Sequence, residues 1–203
     1  GPLLTTEWGQ GSPYNNLCPG GSVTGCTATA MAQILNYWEC ANSGTGYYSY
    51  IHDTWGFLEF DYENTVFDWN NMLDDVTNSS GSDAIDAVST LMYACGVGAS
   101  MNYGVGGSYA WFVYSGSPTH GVGAMVDHFG FTQTGEAWRY NYNDAQWRSL
   151  LDEELNALRP IAYTGENING YGGHAFVCDG YDNFGLYHFN WGWGGYQDGY
   201  FSI

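Results

Sequence analysis

The apolar positions of this chain recur at helical spacing in four segments and form strand-like runs after Pro160. Four helices are predicted, at residues 26–37, 83–95, 122–129 and 145–158. Four strands are predicted after them, at residues 161–163, 175–181, 186–191 and 200–203. Helices followed by antiparallel strands indicate an α+β fold, in which the first helix packs against the sheet.

Two of the predicted helices carry a clear apolar stripe. In the helix at 83–95, Ser82 is the expected N-cap, Gly96 the expected stop, and one face holds Ile85, Val88, Leu91, Met92 and Cys95. In the helix at 145–158 the stripe is formed by Trp147, Leu150, Leu151, Leu155 and Leu158. Because no repeat or Pro/Ser-rich linker interrupts the 203 residues, a single domain is expected.

A cysteine opens the first predicted helix. Cys26 follows Gly25 and precedes a run rich in Ala, Met, Gln and Leu, so the helix should begin at or just after the cysteine. Unpaired N–H groups and the positive end of the helix dipole favour thiolate over thiol at such a position. Cys26 is therefore a candidate nucleophile, the alternative being a small buried apolar residue, as most free cysteines are.

A histidine in a strand-like setting lies further along the chain. His174 follows Gly172 and Gly173, which leave backbone room beside it, and leads into the apolar run 175–178. A cysteine at a helix start with a histidine about 130–150 residues downstream is the layout of a papain-type thiol protease. His174 is therefore the candidate general base.

The other histidines lack this setting: they are His52, His120, His128 and His188. His188 alternates with Tyr187 and Phe189, which is typical of a strand surface or of a satisfied core group. No pair of histidines has metal-ligand spacing with cysteines or carboxylates, so neither a metal site nor a cofactor is predicted.

A general base needs a group that orients its ring. A turn at Asp182 would return the chain to place Asn190 beside His174, where the amide oxygen of Asn190 could accept the imidazole N–H. Trp191 or Trp193 would then shield that bond from water. The alternative is that Asn190 only caps a turn and that the Trp–Gly alternation reflects tight packing.

Composition limits the possible partners. The chain has no lysine, three arginines, 21 acidic residues and a formal charge of −18, which disfavours binding to nucleic acids and anionic membranes. No apolar run approaches the roughly 20 residues that a membrane-spanning helix needs. Besides Cys26 there are four cysteines, with no CxxC pair, and they are expected to be mostly free, buried thiols: Cys18, Cys40, Cys95 and Cys178.

Several blocks along the chain resemble the streptopain family of secreted bacterial cysteine peptidases. They are the segments 8–15 (WGQGSPYN), 24–33 (TGCTATAMAQ), 173–176 (GHAF) and 190–195 (NWGWGG), with further likeness at 101–104, 107–108 and 159–163. Because these blocks run nearly from end to end, the resemblance implies a papain-like α+β fold with a catalytic cleft between helices and sheet. It further implies that residues 1–203 are one mature catalytic domain, made with a signal and an inhibitory prosegment that are expected to be absent here.

The resemblance also implies residue roles. Cys26 matches the nucleophile and His174 the general base, and Gln10 matches a glutamine whose amide helps to form the oxyanion hole. Trp193 matches a tryptophan beside the histidine, so both Asn190 and Trp193 stay open as the third member. Ser108 and Gly173 match contacts to the substrate backbone. The implied substrates are proteins or peptides with a bulky apolar side chain two residues before the scissile bond.

Two other functions compete with a peptidase. The many aromatic residues are compatible with a carbohydrate-binding module, although Cys26 and His174 would then be a coincidence. An acyltransferase or amidase could use the same Cys–His pair. The glycine-dense segment 98–107 lacks the lysine and preceding strand of a phosphate loop, and we interpret it as a wall of the substrate cleft or as an ordinary loop.

Overall fold

The computed structural model describes residues 1–113, 120–132, 135–166 and 172–203 of the chain. Within these residues, helices pack against an antiparallel sheet, with the helices Cys26–Trp38 and Asp144–Asn156 on opposite faces of its strand Gly173–Tyr181, which confirms the α+β prediction. The helices are α1 (Cys26–Trp38), α2 (Ser82–Gly98), α3 (Gly121–Phe129) and α4 (Asp144–Asn156). Three short 3₁₀ turns accompany them, at Pro19–Gly21, Trp69–Asn71 and Arg139–Asn141.

The described strands form a hairpin and a four-stranded sheet. The hairpin consists of β1 (Tyr47–His52) and β2 (Gly56–Asp61), and the sheet has the order β3 (Ile161–Glu166), β4 (Gly173–Tyr181), β5 (Tyr187–Asn190) and β6 (Gly199–Phe201). All neighbouring strands are antiparallel, as expected for segments joined by short turns. The predicted turn at Asp182 is confirmed, because its carboxylate accepts the N–H groups of Phe184 and Leu186.

Helix α1 lies at the centre of the molecule. Every residue from Thr27 to Leu35 is buried, because the helix contacts α2, α3 and β4 on different sides. A helix that is enclosed all round shows no polar stripe, which explains its continuous run of small and apolar residues. The predicted packing of this helix against the sheet that carries His174 is confirmed.

The predicted stop of α2 at Gly96 is wrong, since the helix continues to Gly98. A side chain at position 96 would place its first carbon 2.0 Å from the Tyr103 hydroxyl, and one at position 98 would lie 2.8 Å from the Cβ of Ala124. These glycines therefore permit close packing within a helix instead of ending it. Ser82 is the first helical residue, and the N-cap position belongs to Gly81.

Helix α4 begins with a capping box. Asn143 accepts the backbone N–H of Gln146, and the Gln146 side chain accepts the N–H of Asn143. The helix ends at Asn156, so the predicted continuation to Leu158 is wrong: Leu158 has φ 58° and a side chain that is 59% exposed. The buried part of the stripe is formed by Trp147, Leu151 and Leu155.

The β1–β2 hairpin was not predicted. Its exposed face carries large apolar side chains, among them Tyr47, Ile51 and Phe57, so the alternation of apolar and polar residues that marks a half-buried strand is weak there. Leu58 and Phe60 are buried on the other face of the hairpin.

All five cysteines are free. Cys18, Cys95 and Cys178 are buried, as predicted, whereas Cys40 is exposed beyond the end of α1. Among the described residues, no helix is long and apolar enough to cross a membrane.

Candidate active site

Cys26 is the first residue of α1, as its sequence context predicts. Gly25 precedes it with φ 86°, and a side chain at position 25 would place its first carbon 2.8 Å from the Met101 sulfur and 3.0 Å from the Ser108 carbonyl oxygen. Glycine therefore permits both the left-handed turn and the close approach of the segment 101–108. This turn leaves the half-buried thiol of Cys26 at the N-terminus of a buried helix.

His174 is the second residue of β4 and is half-buried. Its Nε2 lies 2.8 Å from the backbone carbonyl oxygen of Trp191. A carbonyl oxygen can only accept a hydrogen bond, so Nε2 carries the proton and Nδ1 is left for the Cys26 thiol, to which the ring is also hydrogen-bonded. The structure therefore brings together the predicted nucleophile and base.

The two groups stabilise each other's charged forms. Burial, the largest influence, raises the pKa of the Cys26 thiol, but the hydrogen bond and charge of His174 and the N–H groups of Ala175 and Thr27 outweigh it, so the net pKa is lowered. Burial likewise lowers the pKa of His174, while its contacts with Cys26 and the Trp191 carbonyl raise it above its ordinary value. These directions favour a thiolate–imidazolium pair.

We expect iodoacetamide to alkylate Cys26 well below the pKa of about 8.5 of an ordinary thiol. The thiolate–imidazolium pair should form as the pH rises through the lowered pKa of Cys26 and be lost as the pH rises through the raised pKa of His174. Cys40 is the internal control, since it is exposed and its pKa is raised by partial burial of the sulfur. Peptide mass mapping over a pH series gives both rates, and a Cys26 rate that titrates near 8.5 would contradict the ion pair.

Asn190 does not form the predicted hydrogen bond to His174. In the sheet it pairs with Val177, three residues beyond the histidine on β4. Its Oδ1 accepts Gln33 Nε2 at 2.9 Å and the N–H of Gly192 at 3.0 Å, and its Nδ2 donates to the Thr6 carbonyl at 2.6 Å. The side chain of Asn190 is therefore engaged in a buried network, and the backbone of Trp191 supplies the acceptor for His174.

Trp193 stacks on the candidate base. The ring centroids of Trp193 and His174 are 4.8 Å apart and their planes differ by 29°, whereas the Trp191 ring is 6.2 Å from His174. Trp193 is 42% exposed, so its indole covers the imidazole at the surface of the molecule. The structure thus places a backbone carbonyl and a stacked ring, and not the amide of Asn190, beside the His174 ring.

Gln10 lies beside the segment that leads into α1. Its carbonyl oxygen accepts the N–H of Thr24 at 3.0 Å, and the Trp8 carbonyl accepts the N–H of Gly194 at 3.2 Å. The segment 8–10 is therefore held between the residues that lead into α1 and the loop at 191–195. Gln10 is half-buried, and within the described part of the chain its side-chain amide makes no hydrogen bond.

Ser108 and Gly173 differ in what they can offer a ligand. The Ser108 hydroxyl donates to the Val23 carbonyl at 2.7 Å and accepts the N–H of Gly104 at 3.0 Å, so this side chain holds the loop in place. Any contact of Ser108 with a substrate would thus use its backbone. Gly173 is exposed next to His174, and a side chain there would meet no atom closer than 3.9 Å.

Three of the remaining histidines have evident structural roles elsewhere in the fold. His188 pairs with the buried carboxylate of Asp179 at 2.7 Å, which confirms it as a satisfied group. His120 caps α3, and His128 stacks on Tyr62. Within the residues that the structure describes, no cluster of three or more potential ligands could hold a metal ion.

Sequence reasoning missed the groups that surround the pair. The Trp191 carbonyl is a backbone group, so its position depends on the path of the chain and cannot be predicted from the residue type. Gln33 could have been found from the sequence, because it is the one side-chain amide in the mainly apolar run from Ala28 to Leu35. A polar side chain at a buried helical position indicates a specific hydrogen-bond partner.

Comparison with known proteins decides the family. A family model described as the peptidase C10 family matches residues 8–201. The chain belongs to the peptidase C10 family. This confirms the resemblance to streptopain and the enzyme class, a cysteine peptidase, that the sequence predicts.

Curated relatives of this C10 peptidase support the same assignment. Streptopain from Streptococcus pyogenes serotype M28 is 32% identical over 220 residues, covering 97% of this chain and 53% of that protein. The thiol protease/hemagglutinin PrtT of Porphyromonas gingivalis is 32% identical over 214 residues, covering 100% of this chain and 23% of that protein. The chain thus spans about half the length of the streptopain that it matches, and less of the second relative.

Solved structures confirm the papain-like cysteine protease fold of this C10 peptidase. Active wild-type interpain A from Prevotella intermedia superposes with a TM-score of 0.89 at 40% identity, covering all of this chain and 85% of that one. A mutant prointerpain A fragment from the same organism gives a TM-score of 0.87 at 39% identity, covering all of this chain and 64% of that one.

Proposed function

We propose that this C10 peptidase hydrolyses peptide bonds through Cys26 and His174. The observation that carries the proposal is the hydrogen-bonded thiol–imidazole pair, in which Trp191 fixes the tautomer of the ring. A thiolate at a helix start, next to an imidazolium that holds one proton on Nε2 and the other on Nδ1, is ready to attack a carbonyl carbon.

In the acylation step, the Cys26 sulfur attacks the carbonyl carbon of the scissile bond and a tetrahedral oxyanion forms. The Cys26 N–H, at the helix start, and the free amide of Gln10 are proposed to donate to that oxyanion. His174 then protonates the departing amine from Nδ1, and the carbon–nitrogen bond breaks to leave a thioester on Cys26.

In the deacylation step, Nδ1 of His174 takes a proton from water while the water oxygen attacks the thioester. The carbon–sulfur bond breaks, and the carboxylic acid product leaves with Cys26 restored as thiolate. Throughout the cycle, the Trp191 carbonyl keeps Nε2 protonated and the Trp193 ring limits rotation of the imidazole.

The surroundings of the pair support an apolar specificity. Val105, Tyr109 and Trp111 are exposed on the segment that packs against Gly25. We propose that this wall, from the glycine-dense segment 98–107 onward, receives a bulky apolar side chain two residues before the scissile bond. The backbones of Ser108 and Gly173 are proposed to pair with the peptide.

The family also bears on how the protein is made. We propose that residues 1–203 form one mature catalytic domain of a secreted bacterial enzyme, released from an inhibitory prosegment. The similarity to a fragment named prointerpain A supports a precursor of this kind.

Peptide mapping of an unfolded protein digest tests the proposed function. Fragments should appear with bulky apolar residues two positions before the cut, and prior treatment with a thiol-alkylating reagent should abolish them. Cut sites without that preference would overturn the specificity. Release of ammonia without chain cleavage would instead favour an amidase, and acyl transfer to an added amine in preference to water would favour an acyltransferase.

A further inference from the structure

A single buried side chain connects the segment that positions His174 with the segment that leads to Gln10. Gln33 lies on α1 two turns after Cys26 and is fully buried. Its Oε1 accepts the Thr6 hydroxyl at 2.9 Å and the N–H of Trp8 at 3.4 Å, while its Nε2 donates to Asn190 at 2.9 Å.

The first arm of this network ends at the peptide unit that orients His174. Asn190 Oδ1 accepts the N–H of Gly192, and the carbonyl of the same peptide unit, Trp191 O, accepts the Nε2–H of His174. An amide unit is planar, so holding its N–H fixes the direction in which its carbonyl points. Gln33 therefore acts on the His174 ring through one side chain and one peptide plane.

The backbone at this point depends on that support. Gly192 has φ 69°, and a side chain there would place its first carbon 3.0 Å from the Thr29 methyl group on α1. The peptide thus lies directly against the helix that carries Gln33, in a conformation that few residues adopt. On the other side, the N–H of Trp191 donates to Asp198 at 2.8 Å.

The second arm leads to Gln10. Thr6 and Trp8 belong to the extended segment that reaches Gln10 two residues later, and the Thr6 carbonyl also accepts Asn190 Nδ2. The two arms therefore close into a ring of hydrogen bonds through Gln33, Thr6 and Asn190. Buried networks in which every member is satisfied hold one arrangement of the groups they join.

We propose that Gln33 is a positioning residue that sets the candidate base and the candidate oxyanion donor relative to the nucleophile on its own helix. This inference rests on the proposed function. It assigns to one buried amide the coupling between His174 and Gln10, which lie on separate segments of the chain.

The test is Gln33→Met, which keeps the length of the side chain and removes both arms. Turnover (kcat) on a peptide should fall by about 10- to 100-fold, with KM within about threefold, because the reacting groups are misplaced while the cleft is kept. In the pH profile of kcat/KM, the fall on the alkaline side should move to lower pH, because a Trp191 carbonyl that is less well positioned stabilises protonated His174 less.

The matched control is Thr6→Val, which removes one donor to Gln33 and leaves the arm to Asn190 intact. Its alkaline limb should coincide with that of the wild type. If Gln33→Met does not fold, Gln33→Asn keeps an amide but shortens the side chain by one carbon, so that it cannot reach both Thr6 and Asn190, and the alkaline limb of its pH profile should move in the same direction.

Alkylation of Cys26 separates this inference from the proposed function, because it requires no peptide turnover. In folded Gln33→Met, the pH at which the Cys26 alkylation rate is half-maximal should rise by at least about half a pH unit, even if no peptide substrate is found. The role of Gln33 would be overturned by a folded variant that matches the wild type in two pH profiles, that of the Cys26 alkylation rate and that of kcat/KM, and whose kcat stays within about threefold.

Discussion

Replacing Cys26 with alanine should reduce peptide hydrolysis by several orders of magnitude, to the limit of detection, and leave the fold intact. The thiol supplies the atom that becomes covalently bound to the substrate, and loss of one member of a nucleophile–base pair removes nearly all of its effect. The side chain is small and half-buried, so the change in the free energy of unfolding should be modest. The measurement is turnover of a peptide substrate alongside thermal unfolding.

The control for this experiment is Cys40→Ala. Cys40 is also a free cysteine, but it is exposed beyond the far end of α1. Its replacement should leave turnover within about twofold of the wild type. Substantial residual hydrolysis in folded Cys26→Ala would show that another group is the nucleophile.

Gln10→Ala should slow peptide turnover by about 10- to 1000-fold, the range for one lost oxyanion donor. Iodoacetamide should still alkylate Cys26 at a rate close to that of the wild type, because formation of the thiolate depends on His174 and the helix start. The two rates must therefore be measured on the same preparation.

An exposed glutamine in the loop after Trp193 offers a matched control. Within the part of the chain that the structure describes, the Gln197 side chain donates only to the neighbouring Tyr196 hydroxyl, so Gln197→Ala should keep turnover within about twofold. Equal losses of turnover and alkylation in Gln10→Ala would mean that Gln10 supports the structure of the pair and does not bind the oxyanion.

The sequence predicts those parts of the site that depend on residue type in a local context. Cys26 at a helix start and His174 near the start of a strand follow from their neighbours, because capping and strand-forming residues act over a few positions. The sequence likewise predicts the described helices and sheet strands near their observed positions.

What the sequence does not predict depends on register and on backbone. The expected contact between Asn190 and His174 fails because the antiparallel register sets Asn190 opposite Val177 instead. The true acceptor is a carbonyl, which every residue has. Local rules predict that Gly96 ends the helix, because they cannot show that Tyr103, from a later loop, packs against it.

The hydrogen-bond acceptor of His174 is a backbone group, and this affects how the site responds to mutation. Substitution at position 191 alters the indole but cannot delete the carbonyl, so the tautomer of the base is protected from point mutation at the residue that sets it. The sensitive position is its neighbour, Gly192, where any L-residue must adopt φ near 69° against Thr29. A mutational screen that ranks residues by the side chains touching His174 would therefore overlook the glycine on which the geometry depends.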